Sequence, residues 1–136
     1  MLKKTITYTD YNGTERKEDF YFNMSKAELM EMELGTDGGM ENLIQTVIDK
    51  QDIPRIMSIF KEIILKSYGE KSPDGKRFVK SEELSQAFAQ TEAYSELFVE
   101  LLSDAKAAAD FMNGIVPAEI AKQASESGRQ NLLKEV

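Results

Sequence analysis

The chain is 136 residues long, enough for one domain with a sizeable buried core. Charged residues make up 30% and apolar residues 41%, the proportions of a chain that folds in water and not of a disordered one. Lysine and arginine number 17 against 24 acidic residues, a net charge of -7, with the basic residues scattered; this argues against nucleic-acid binding and for partners that are basic or offer apolar grooves.

There is no cysteine and no histidine, so a disulfide framework, a thiolate metal site and the commonest general base are all excluded. Met1-Leu2-Lys3-Lys4 opens like a signal peptide, but the alternating Thr5-Ile6-Thr7-Tyr8 that follows is not an apolar block. The longest aliphatic run, Ile63-Ile64-Leu65, is far short of the roughly 20 residues a membrane span needs. The expectation is an intracellular, soluble protein with no membrane partner and no cofactor.

Residues 3–24 read as a β-hairpin, with Ile6 and Tyr8 alternating before Asn12-Gly13 and Phe20, Phe22 and Met24 alternating after it. A two-residue Asn12-Gly13 loop would put Ile6 and Phe20 on opposite faces. A three-residue loop, Tyr11-Asn12-Gly13 with Gly13 left-handed, puts them on one face and is the preferred register. Ser25-Lys26-Ala27-Glu28 is a capping box opening a short helix that carries Leu29, Met30, Met32 and Leu34 and stops at Gly35. Thr36-Asp37-Gly38-Gly39 reads as a turn; without a following Gly-Lys-Ser/Thr, and with acidic neighbours, it is not a phosphate cradle. A further helix near residues 40–50 offers Leu43, Ile44, Val47 and Ile48.

The stretch 52–69 is the most apolar helix and the expected centre of the core: Ile53, Ile56, Met57, Phe60, Ile63 and Ile64 recur at helical spacing, widened by Ile59 and Leu65. Asp52 is placed to cap it, Pro54 to sit in its first turn, and Gly69 to end it in a left-handed conformation. Pro73-Asp74-Gly75 is a turn inside either a second short hairpin or an ordered loop, anchored by Phe78 and Val79. Ser81 caps a helix bearing Leu84, Ala87 and Phe88. Thr91 caps another with Tyr94, Leu97, Phe98, Leu101 and Leu102 in a stripe. The alanine-rich continuation to Asn113 is either the same helix or a second one joined at Ser103-Asp104, ended by Gly114. Residues 118–136 read as a weakly helical or disordered tail beyond a single globular domain, 1–117.

Chemistry is sparse. Glu28, Glu31, Glu33, Asp37 and Glu41 are the densest acidic cluster, but their spacing matches no calcium loop, and a solvated helix face accounts for them. Glu82, Glu83, Glu92 and Glu96 fall where helix N-termini favour acids. The stripe through Tyr94 and Phe98 is either a groove for a partner helix or the second half of the core; spacing serves both. Seven methionines tilt the reading toward an adaptable interaction surface. The fold expected is α+β and mainly α: an N-terminal hairpin packed on about five or six helices.

The run Tyr68-Gly69-Glu70-Lys71-Ser72-Pro73-Asp74-Gly75-Lys76-Arg77-Phe78-Val79-Lys80-Ser81, with Phe88, Gln90-Thr91-Glu92-Ala93-Tyr94, Leu97-Phe98, Leu101-Leu102 and Phe111-Met112-Asn113-Gly114-Ile115-Val116-Pro117, resembles the tail assembly chaperones of long-tailed, non-contractile bacteriophages. That resemblance implies a non-enzymatic assembly factor of the infected cell's cytoplasm, absent from the finished virion. It further implies a tape measure protein and tail tube subunits as partners and, in many members, a frameshifted longer product; self-association into oligomers is a separate expectation, not part of that resemblance. The residues expected to face a partner are Tyr94, Phe98, Leu101, Phe111, Ile115, Val116 and Ile120. The alternative class is a head–tail completion or tail component retained in the particle.

Overall fold

The computed structural model describes residues 1–35 and 52–117. The expected turn at 36–39, the helix near 40–50 and the tail at 118–136 lie outside these residues. Two eight-residue strands, β1 (Leu2–Thr9) and β2 (Glu15–Phe22), pair antiparallel with Ile6 opposite Glu18 and Thr9 opposite Glu15. The hairpin closes through Tyr11-Asn12-Gly13: the Gly13 N–H donates to the Asp10 carbonyl at 3.0 Å, and Gly13 has φ 81°. This is the bulged register the glycine predicts, and it brings Leu2, Ile6, Tyr8, Phe20 and Phe22 to one face. Asp10 braces the turn by accepting from the N–H groups of Asn12 and Thr14 and from Arg16.

α1 (Lys26–Gly35) begins with a reciprocal box: the Glu28 N–H donates to Ser25 Oγ at 3.2 Å and the Ser25 N–H donates to Glu28 Oε1 at 3.0 Å. α2 (Ile53–Ser67) follows the cap at Asp52, whose carboxylate accepts from the Arg55 N–H at 3.1 Å. It buries Ile56, Ile59, Phe60, Ile63 and Ile64. Ser67, fully buried on the same helix, satisfies its hydroxyl by donating back to the Ile63 carbonyl at 2.7 Å.

Past Ser67 the chain turns directly into β3 (Tyr68–Lys71), which pairs with β4 (Phe78–Val79). The sheet order is β1-β2-β3-β4, so residues 68–79 form the second hairpin. Its loop is wired by Ser72, whose carbonyl accepts from the Gly75 N–H at 2.8 Å while its hydroxyl donates to Asp74 and accepts from the Arg77 N–H. Gly75 takes φ 74°, as the Pro-Asp-Gly turn requires.

Two glycines act otherwise than the sequence suggests. Gly69 does not end α2 in a left-handed conformation: Tyr68 caps the helix with extended backbone, and Gly69 lies inside β3. It is needed because a Cβ there would stand 2.7 Å from Phe78 Cε2 and 2.7 Å from the Val79 carbonyl. Gly114 likewise does not end its helix, which runs on to Ile115; a Cβ at Gly114 would stand 2.9 Å from Leu2 Cδ1.

α3 (Glu82–Ala89) is capped by Ser81, and α4 (Glu92–Ser103) by Thr91, each hydroxyl accepting from the third N–H beyond. Of the two arrangements open for the alanine-rich continuation, the structure takes the pair of helices. Asp104 closes α4 and caps α5 (Ala105–Ile115), accepting from the N–H groups of Lys106 and Ala107. α4 packs on β1, and Leu97 and Leu101 enter the core with Phe22, Ile64, Phe88 and Phe111. The fold is therefore α+β: a four-stranded antiparallel sheet beginning with the N-terminal hairpin, and five helices among the described residues.

The two kinds of glycine give separable expectations. Gly69→Ala forces the Phe78 ring and the β4 backbone apart and should cost about 1–3 kcal/mol in urea unfolding. Gly75→Ala meets no atom within 4 Å but keeps a left-handed backbone, a strain of about 1–2 kcal/mol. Restoring the space by Phe78→Ala should soften the first substitution and leave the second unchanged.

Candidate partner-binding surface

Three of the residues expected to face a partner, Tyr94, Phe98 and Leu101, lie on α4. Ala93, Leu97 and Leu101 recur at four-residue spacing on its buried face. Tyr94 and Phe98 lie beside that face and are half-buried, with ring centroids 5.8 Å apart; Tyr94 also meets Phe88 edge-on at 5.9 Å. Partial burial pushes the Tyr94 phenol pKa up. The ridge does not stop there. Leu102, four residues beyond Phe98, is 37% exposed, and Val99 is 59% exposed. An apolar band thus winds from the core around α4 into solvent.

Of the other residues expected to face a partner, Leu101, Phe111 and Ile115 are buried, Phe111 packing edge-on against Phe22 at 5.2 Å. Val116 is half-buried against the core, and Ile120 lies outside the described residues. The buried three belong to the core. Val99, which periodicity does not single out, sits where the band meets water.

Further apolar side chains are open to solvent on α1 and α2. Met30 and Leu34, four residues apart, lie on the side of α1 away from buried Met32, and Leu34 is 84% exposed. Ile53 and Met57 share the spacing of Phe60 and Ile64 on α2, yet both are exposed in the first two turns. The core reaches only the later turns of that stripe.

α1 is tied down by a polar clamp. Lys80 Nζ donates to the Asn23 carbonyl at 2.6 Å and to Glu28 Oε2 at 2.6 Å, joining the segment between β4 and α3 to the start of α1. Nearby, the Met24 N–H donates to the Ile115 carbonyl at 2.7 Å, bringing the end of α5 to the same place. Partial burial raises the Glu28 pKa, but the bonds from Lys80 and Ser25 and the Lys80 charge outweigh it, and the net shift is downward.

Among the described residues no three acidic side chains converge to hold a metal ion. Glu31 and Glu33 are exposed, and Asp37 and Glu41 lie outside the described residues. Two shallow concavities lie among the described residues, one of about 280 Å³ between Leu2, Lys4, Glu100 and Phe111 and one of about 430 Å³ between β2 and β3. No helix among the described residues is long and apolar enough to cross a membrane.

A family model described as phage tail assembly chaperone matches residues 1–135. The chain belongs to that family. No curated protein and no solved structure matches it. Tail assembly chaperones are a non-enzymatic family. Its match takes in the hairpin and the capped helices alike, so the likeness between Tyr68 and Pro117 is part of a relationship running through almost the whole chain.

The Glu28–Lys80 clamp gives a pH test. A carboxylate whose folded pKa is depressed adds stability above its unfolded value, near 4.3, and loses it as the pH falls through the folded value. Glu28→Gln should therefore flatten the fall in thermal midpoint below about pH 4.5. Glu31→Gln, at an exposed position on the same helix, should leave that fall as it is.

Proposed function

We propose that this chaperone holds the tape measure protein soluble during tail assembly, through the apolar band of α4, and helps bring tail tube subunits to it. The observation that carries this reading is the passage from buried Leu97 and Leu101 through half-buried Tyr94 and Phe98 to exposed Leu102 and Val99. A helix that places its apolar band partly in water offers the groove wall on which an amphipathic helix docks. The net charge of -7 keeps the resulting complex dispersed. Many copies, each binding weakly along one long rod, bind strongly together.

In this reading Tyr94, Phe98 and Val116 form the rim that meets the partner, with Leu101, Phe111 and Ile115 fixing its shape from within and Ile120 extending it. Residues 1–117 act as one folding unit and 118–136 as an appended tail. The protein works in the host cytoplasm, associates with further copies of itself along the rod, and leaves before the virion is complete.

Co-expression with the tape measure protein of the same phage is the test. That protein should move from the pellet to the soluble fraction and co-purify with the chaperone, and purified particles should lack the chaperone. The pair Val99→Glu and Leu102→Glu changes exposed positions and should leave the thermal midpoint near that of the parent. It should weaken co-purification about tenfold, the loss of roughly 1–2 kcal/mol of apolar burial. A tape measure protein equally insoluble with and without the chain, or stoichiometric chaperone in the particles, defeats the reading.

A further inference from the structure

A second docking place lies in the sheet. β3 pairs with β2 only at Tyr21 opposite Gly69 and Phe22 opposite Tyr68; beyond Gly69 its partner is β4, with Glu70 opposite Val79 and Lys71 opposite Phe78. The two strands therefore part like a fork. Along residues 15–20 the edge of β2 facing away from β1 has no strand beside it among the described residues. The opening is the concavity of about 430 Å³, walled by Glu18, Asp19, Phe20 and Tyr21 on one side and by Tyr68, Gly69, Glu70 and Lys71 on the other. Over β1 the same face is covered by α4, with Lys4, the cross-strand neighbour of Phe20, bonded to Glu100 at 2.8 Å.

The fork has the chemistry of a strand receptor. An unpaired strand edge offers backbone donors and acceptors to any extended chain laid along it. Within it, Phe20 and Tyr68 are half-buried, with ring centroids 6.5 Å apart, and give an apolar floor for alternate side chains. At the rim, among the described residues, Asp19 accepts from the Thr5 hydroxyl alone and Glu70 forms no ion pair, while Lys71 lies over the Tyr21 ring at 4.5 Å. Two carboxylates with no cationic partner among the described residues thus flank an open edge.

We infer that the fork between β2 and β3 receives an extended, basic stretch of a partner polypeptide, which adds to the β2 edge as a strand, sets an apolar residue on Phe20 and Tyr68, and pairs a lysine or arginine with Asp19 or Glu70. This site is separate from the α4 band and stands or falls without it. Helix docking on α4 and strand addition at the fork use different chemistry.

The experiment uses the full chain, isotopically labelled, titrated with a blocked peptide of alternating lysine and valine and with its glutamate–valine counterpart. The lysine peptide should shift the amides of residues 18–21 and 68–71, slow amide exchange along 15–20, and bind at least tenfold more tightly than the acidic one. Asp19→Lys with Glu70→Lys should reverse that preference. Glu70→Gln, at an exposed position, should weaken the lysine peptide about threefold, a readout available if the double variant does not fold. Equal affinity for the two peptides, shifts confined to α4, or unchanged binding by the folded variants overturns the inference; failure of tape measure solubilisation does not bear on it.

Discussion

The structure depends on how Phe22 is enclosed. This ring, with no exposed surface at the end of the second strand, meets Phe88 at 5.7 Å, Phe111 at 5.2 Å and Tyr68 at 5.8 Å. Those contacts come from α3, α5 and the start of β3, so one side chain ties both hairpins to two helices. Tyr68 stacks flat on Phe88 at 4.3 Å, closing the group. Aromatic rings bring large apolar area with directional edge-to-face preferences, and a small protein without disulfides gains orientation as well as burial from them.

Around that nexus, short helices are kept short by side-chain caps. Ser25, Asp52, Ser81, Thr91 and Asp104 each accept a backbone N–H that would otherwise be orphaned. These caps are local chemistry, written in neighbouring residues, and so they are legible without coordinates. The same is true of the hairpin register, because Gly13 is where a three-residue loop demands a left-handed residue and only that loop aligns Ile6 with Phe20.

What was not legible depends on contacts between distant residues. Gly69 and Gly114 look like helix stops, since glycine tolerates left-handed backbone; what they supply is a missing Cβ where Phe78 and Leu2 come close. Ile53 and Met57 share the helical phase of Phe60 and Ile64, and phase says which way a side chain points, not whether a neighbour extends far enough to cover it. On α4 the stripe was plain, but its width was not. Val99 falls outside the repeat and is the most exposed apolar residue of the band, whereas Leu101, Phe111 and Ile115, which look like part of a surface, are interior. The fork in the sheet is the least readable feature of all, because it arises from two pairings of one four-residue strand.

The joint at Asp104 settles the course of the chain from α4 into α5. The Ala-Lys-Ala-Ala-Ala sequence that follows is among the strongest helix formers, and nothing in it prefers a bend. The Asp104 carboxylate accepts from the first free N–H groups of the new helix while the Asp104 backbone N–H closes the old one, and this stops the two from merging into a straight rod. A rod would carry Phe111 and Ile115 along the line of the preceding helix and away from the hairpin. A single acidic elbow thereby decides whether this stretch folds back to complete a core or projects as an arm.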